Sequence, residues 1–275
     1  MSVPKFLDFK PGEVRRVTSS ANEAVKALRA LHMKKYREES GLYLAEGART
    51  IIEALELNQK PVAVAYLASA RGEPHVERIA DAVKAGKGLC LEVNQEALNK
   101  ISSRDNPQTI LGVFRQKTHE LKDIDTRKSR LLALEDVRDP GNLGTILRTC
   151  DGFGVDTVVL AGNCTDPFGL DAVRASMGSI FSVKLVPCTR DAFAHWLASY
   201  KGEVIGTALE GAEDIRKADW RAPHLLLMGN EQKGLSDTLK KYCTQLVKIP
   251  MQGRADSFNL AVATGIALYC SNLKD

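Results

Sequence analysis

The chain has 275 residues, 44% hydrophobic and 26% charged, a balance that excludes a disordered protein and leaves room for two folded units. Its net charge of +4 is compatible with a polyanionic partner but does not by itself require one. No stretch approaches the roughly 18 to 20 uncharged apolar residues of a membrane span, and the first ten residues lack an apolar run of leader length, so a cytoplasmic protein with no membrane contact is expected.

In chain order, residues 21–35 place Val25, Leu28 and Leu31 at helical spacing, with Lys26, Arg29, Lys34 and Lys35 on other faces; Arg37 extends this basic stretch. Strand patterns follow at 42–45, 62–67, 88–93 and 109–114, with helices over 48–57, 75–84 and a short one before the last strand. Residues 116–129 are polar and poor in apolar side chains, and the domain boundary is expected there. The first unit is thus residues 1–115 and the second 130–275. The second opens on the strand pattern 130–135 and continues with a helix 142–153, strand 157–161, helix 170–176 and strand 183–187. Helix 191–200, strands 203–208 and 223–228, helix 236–242, strand 245–249 and a last helix 257–272 complete it. This alternation predicts an α/β fold with mostly parallel sheets.

Six cysteines without a Cys-x-x-Cys pair and five dispersed histidines point to reduced thiols and give no basis for metal catalysis. Three stretches carry chemistry instead. In Glu135-Asp-Val-Arg-Asp-Pro-Gly-Asn-Leu-Gly-Thr-Ile-Leu-Arg148, a strand ends at a Pro-Gly turn and Asn142 is placed to cap a helix. Arg148 lies off that helix's apolar face. It reads either as a solvated arginine paired with Asp151 or as a fork of donors for phosphate and ribose. In Met228-Gly-Asn-Glu-Gln-Lys-Gly234 an apolar run stops at Gly229. The polar residues after it are either helix-capping or a ligand loop at a strand's carboxyl end. In Ile249-Pro-Met-Gln-Gly-Arg-Ala-Asp-Ser-Phe-Asn-Leu260 a strand passes through an irregular loop to the last helix, with Ser257 as the expected N-cap.

Together, in this order and spacing, the three stretches resemble the motifs of the SpoU (TrmH) family of RNA methyltransferases: Asn142 with Arg148; Gly229, Glu231 and Gly234; Ile249, Pro250, Met251, Gly253, Ser257 and Asn259. Phe258 replaces the leucine usual between the motif serine and asparagine. Tyr43–Thr50 is similar to part of the ribosomal-protein-like substrate-binding domain that many members carry. The resemblance implies a deep trefoil knot in the C-terminal domain, a homodimer, and methyl transfer from S-adenosylmethionine to a ribose 2′-hydroxyl. By analogy with its N-terminal domain, the RNA is ribosomal in preference to transfer RNA. It puts Gly229, Ile249 and Phe258 on the cofactor, with Met228, Met251 and Leu260 as apolar neighbours. Asn142, Arg148, Glu231, Ser257 and Asn259 form the catalytic group. A non-catalytic RNA-binding or ribosome-assembly protein would not need this polar set, and a Rossmann enzyme would need Gly-x-Gly-x-x-Gly, which is absent.

Overall fold

The computed structural model describes residues 9–102, 107–127, 130–209, 212–220 and 223–273. The first eight residues, part of the stretch read for a leader, lie outside the described residues, as do Lys128 and Ser129 of the expected linker. The chain forms two units. One comprises the chain through Gln116 together with Phe168–Phe181; the other comprises Lys117–Pro167 and the chain from Ser182 onward.

The first unit is a five-stranded sheet in the order β1-β4-β3-β5-β2, made by β1 (Val14–Val17), β2 (Leu42–Glu46), β3 (Ala63–Leu67), β4 (Leu89–Val93) and β5 (Ile110–Arg115). β1, β4 and β3 are parallel, and β5 is antiparallel to its neighbours β3 and β2. Alternation along each strand builds a core on both faces. Leu42, Leu44, Leu89, Leu91 and Val113 pack with Val25 and Leu28 of α1 (Glu23–Ala30) and with Leu98 and Ile101 of α5 (Gln95–Ser102). α3 (Ala48–Glu56) and α4 (Pro74–Ala85) bury Ile51, Ile79 and Val83. On the same face as Tyr43 and Phe114, the ring of Tyr43 lies 4.9 Å from that of Phe168 and Phe114 lies 4.7 Å from Phe181. Phe168 and Phe181 bracket α7 (Leu170–Ala175), a stretch that sequence order alone groups with the second unit.

The single helix expected over 21–35 is two, α1 and α2 (Lys34–Ser40). The break has a cause: Arg37 is buried and its Nη1 donates to the carbonyls of Leu31 and His32, both at 2.8 Å, satisfying the groups a helix end leaves open. Arg37 is therefore a structural residue and leaves the basic surface. Lys26, Lys34 and Lys35 pair with Glu23, Glu38 and Glu39, which further thins the positive face read from the sequence.

The second unit is a seven-stranded sheet in the order β10-β12-β9-β11-β6-β7-β8, every pair parallel. Its strands are β6 (Arg130–Glu135), β7 (Thr157–Ala161), β8 (Lys184–Cys188), β9 (Glu203–Thr207), β10 (Glu213–Asp214), β11 (His224–Met228) and β12 (Gln245–Lys248). Helices α6 (Pro140–Gly152), α8 (Arg190–Leu197), α9 (Asp237–Lys240) and α10 (Leu260–Asn272) complete it. This is the α/β architecture expected. From β6 the chain runs to one edge through β7 and β8, then returns to build β9, β11 and β12 on the other side. β6 and β11, paired at the centre, flank the point of reversal, and a crevice opens at the carboxyl ends of strands at such a point.

Candidate active site

The three motif loops leave the carboxyl ends of β6, β11 and β12. At the first, Asp139 and not Asn142 is the N-cap of α6. The Asp139 carboxylate accepts from the Asn142 backbone N–H at 2.6 Å, and Pro140 fills the first turn, where no donor is needed. At the third, Asn259 and not Ser257 is the N-cap of α10, its Oδ1 accepting from Ala261 N–H at 2.9 Å and Val262 N–H at 3.4 Å. Both caps sit away from the residues expected, by three positions and by two, and the shift frees the Asn142 amide for another use.

That use is a relay. Asn259 Nδ2 donates to Asn142 Oδ1 at 2.9 Å, and Asn142 Nδ2 donates to Glu231 Oε1 at 3.4 Å. The Glu231 carboxylate also accepts the backbone N–H groups of Arg138, at 3.2 Å, and Asp139, at 3.1 Å, just ahead of α6, where a negative charge is favoured. One residue from each motif is thereby joined in a line, and Arg138, Asp139, Asn142, Asn230, Glu231, Gln232 and Asn259 line a polar cleft there.

The Glu231 loop is tightly wound. Asn230 and Gly234 exchange backbone hydrogen bonds of 3.1 and 2.9 Å, and the Asn230 Oδ1 accepts from the N–H groups of Gln232 and Lys233. Gly229 is obligatory, because a Cβ there would stand 2.1 Å from the Gly234 carbonyl carbon and 2.2 Å from the Leu235 nitrogen. Its role is close approach of the loop to itself.

Beside the polar cleft lies a second cleft of ≈ 190 Å³, in which Met228, Gly229, Ile249, Met251, Phe258 and Leu260 come together with Ser257 and Glu231. Phe258 is 40% exposed, a large apolar side chain presented to an open space. Arg148 lines neither cleft. It is exposed on α6 and forms no ion pair among the described residues, so the alternative pairing with Asp151 is not made.

Two supports went unread in the sequence. Asn230 Nδ2 donates to the carbonyl of Asp136 at 2.8 Å, tying the β11 loop to the end of β6. Glu135, buried at that end, binds Arg190 and Ser236. A carboxylate closing an apolar strand was the available signal for the second. Cys164 Sγ lies 3.5 Å from the Leu134 carbonyl below, its thiol pushed up to about 11 by burial.

A parallel α/β sheet with an apolar and a polar cleft at its reversal point, joined by an amide–carboxylate relay, is the place where a protein of this class binds a ligand. The model of the SpoU rRNA Methylase family matches residues 129–269, and that of the MRM3-like substrate binding domain matches residues 22–112. The chain belongs to the SpoU rRNA methylase family. Among solved structures, an AdoMet-bound rRNA methyltransferase from Sinorhizobium meliloti is 42% identical, with a TM-score of 0.89 and coverage of 95% of this chain and 98% of that one. Bacillus subtilis RlmP, a 23S rRNA (guanosine(2553)-2′-O)-methyltransferase, is 28% identical over 93% of this chain and 98% of its own length. A 23S rRNA (uridine(2479)-2′-O)-methyltransferase from Streptomyces viridochromogenes is 28% identical over 93% and 91%.

Proposed function

We propose that the apolar cleft holds S-adenosylmethionine and that the polar cleft beside it receives a ribose of ribosomal RNA. As a SpoU family member the chain is an S-adenosylmethionine-dependent RNA 2′-O-methyltransferase. The observation that carries the site reading is the line Glu231–Asn142–Asn259, which joins all three motif loops at the edge of the apolar cleft. The donor set fits the cofactor: Met228, Ile249, Met251, Phe258 and Leu260 offer apolar and polarizable surface around Gly229. S-adenosylmethionine, when bound, supplies an electrophilic methyl group on a sulfonium.

A ribose 2′-hydroxyl is a weak nucleophile and must be aligned and relieved of its proton. Asn142 and Asn259 hold the loops in register, and Glu231 fixes the start of α6. Ser257, exposed at the rim of the apolar cleft, offers a hydroxyl toward the same space. The Arg148 guanidinium, too basic to accept a proton, holds phosphate and hydroxyl from outside the two clefts, neither of which it lines. Arg148 lies six residues beyond Asn142, a rise of about 9 Å along α6.

The reading includes a homodimer. α10 exposes Val262 and Tyr269, and its C-cap residue Leu273 is exposed too, with half-buried Ile266 on the same stripe; a second copy of the chain would cover it. It includes the knot implied by family membership, and a division of labour in which residues 1–115 bind RNA, 116–129 connect, and 130–275 carry the chemistry. A cytoplasmic setting accords with five free thiols, Cys90, Cys150, Cys164, Cys188 and Cys243.

Arg148→Ala tests the mechanism. The variant should fold and bind cofactor as the parent does, yet transfer no methyl group in a single-turnover assay with saturating RNA and cofactor. Arg148→Lys should recover little, since a point charge cannot replace the fork. Near-parental transfer by the alanine variant would remove Arg148 from the mechanism.

A further inference from the structure

Beneath the relay is a strut that belongs to none of the motif positions. Glu135 closes β6 with a side chain only 2% exposed. It is met from two directions. Arg190, the first residue of α8, approaches Oε1 with Nε at 2.6 Å. Ser236, at the far end of the Glu231 loop, gives its backbone N–H at 2.8 Å and its hydroxyl at 2.6 Å. The other arm of Arg190, Nη2, holds the carboxylate of Asp136.

Asp136 has φ +52, in the left-handed region that Asp adopts more readily than most residues with a side chain. Its Oδ1 accepts the Asn163 N–H at 2.6 Å, across Gly162, where a Cβ would stand 2.4 Å from that oxygen. Its carbonyl accepts from Asn230. One guanidinium therefore holds two consecutive carboxylates at the mouth of the sheet. Those two residues hold both ends of the loop that carries Glu231, Asn230 at its start and Ser236 at its finish.

We propose that Arg190 is a positioning residue for methyl transfer, acting through Glu135 and Asp136 to set where Glu231, and with it Asn142, stands. This rests on the reading of the polar cleft given above. The planar fork is what the task requires: lysine can serve one carboxylate or the other, not both at fixed angles. A displacement of about 1 Å in a reacting group costs on the order of 100-fold in rate, so a support that acts only through the loop carrying Glu231 can set kcat.

The test uses the full-length protein with three variants: Arg190→Lys, Arg190→Met, and Arg190→Met combined with Glu135→Gln. The single methionine variant leaves a buried carboxylate without its cation and should lower Tm. The double variant removes that charge and should recover Tm. Positioning then predicts a kcat still about 10- to 100-fold below the parent, at saturating RNA and cofactor and well below Tm, with KM for RNA little changed. The side-chain amide resonances of Asn230 and Asn142 should move as well. Arg190→Lys should keep Tm and lose about 10-fold in kcat. A double variant that regains both Tm and kcat, or a lysine variant with parental kcat, would reduce Arg190 to a stabilising residue. Asn142→Ala is assayed beside them. If it is inactive while the Arg190 variants turn over normally, the positioning role alone fails. If Asn142→Ala itself keeps parental kcat, the polar cleft is not the site and the proposal falls with it.

Discussion

Asn142 stands between a donor and an acceptor, and its amide, with an oxygen to accept and an N–H to donate, answers both. Asn142→Asp would set a carboxylate against Glu231 Oε1, now 3.4 Å from the amide nitrogen, and is expected to cut kcat about 100-fold at neutral pH with the fold retained. Asn259 separates two duties in one side chain. Asn259→Asp keeps the oxygen that caps α10 but loses the donor to Asn142, so Tm should hold while turnover falls. Asn259→Ala loses both and should also lower stability by about 1 kcal/mol, a Tm shift of about 2–4 °C by calorimetry. If the aspartate variant turned over normally, the hydrogen bond between the two asparagines would have no part in the reaction. At Gly229 the resemblance points to contact with the cofactor. The structure gives glycine a prior reason, so even Gly229→Ala should disturb the Asn230–Gly234 loop and lower Tm, with or without cofactor.

Among the elements, the strands of the second unit were legible because buried parallel strands are short apolar runs ending in glycine or polar residues, as at Leu225–Met228. The motif loops were legible for the same reason: each begins where such a run stops. The caps were not, because Asp139, Asn142, Ser257 and Asn259 are all good capping residues, and which one caps depends on where the chain turns. β1 and β10 were missed. Val14–Val17 carries two arginines in four residues, and Glu213–Asp214 is two acidic residues at a sheet edge. The break between α1 and α2 depends on a buried arginine that local periodicity cannot reveal. At this scale the exposed stripe of α10 makes its own prediction. Tyr269→Lys with Leu273→Lys should convert a dimer to a monomer in sedimentation velocity, and a parent that is already monomeric would sink the homodimer reading.

For the whole molecule, burial of the thiols is expected to add to the loss of stability at alkaline pH. Burial raises Cys90, Cys164 and Cys243 to about 11 and Cys188 to about 12, from an ordinary 9.0. A group raised in the folded state contributes stability that is complete below its unfolded value. That stability is lost as pH climbs through the folded one. Tm should therefore be insensitive to the thiols up to about pH 9 and fall between 9 and 12 under reducing conditions. Replacing Cys164 and Cys188 by alanine should flatten that fall; an unchanged slope would assign it elsewhere. The segment Phe168–Phe181 has a consequence of another kind. Its rings complete the face of the first sheet around Tyr43 and Phe114, although its codons lie beyond those of the linker. A protease cutting within residues 117–127 would sever the backbone without severing a module, since the C-terminal fragment would still carry part of the first unit's interior. A gene truncated at that point would encode a first unit missing one wall. The first unit of such a protein is not a cassette to be shuffled, borrowed or tested alone; it is inherited together with the second.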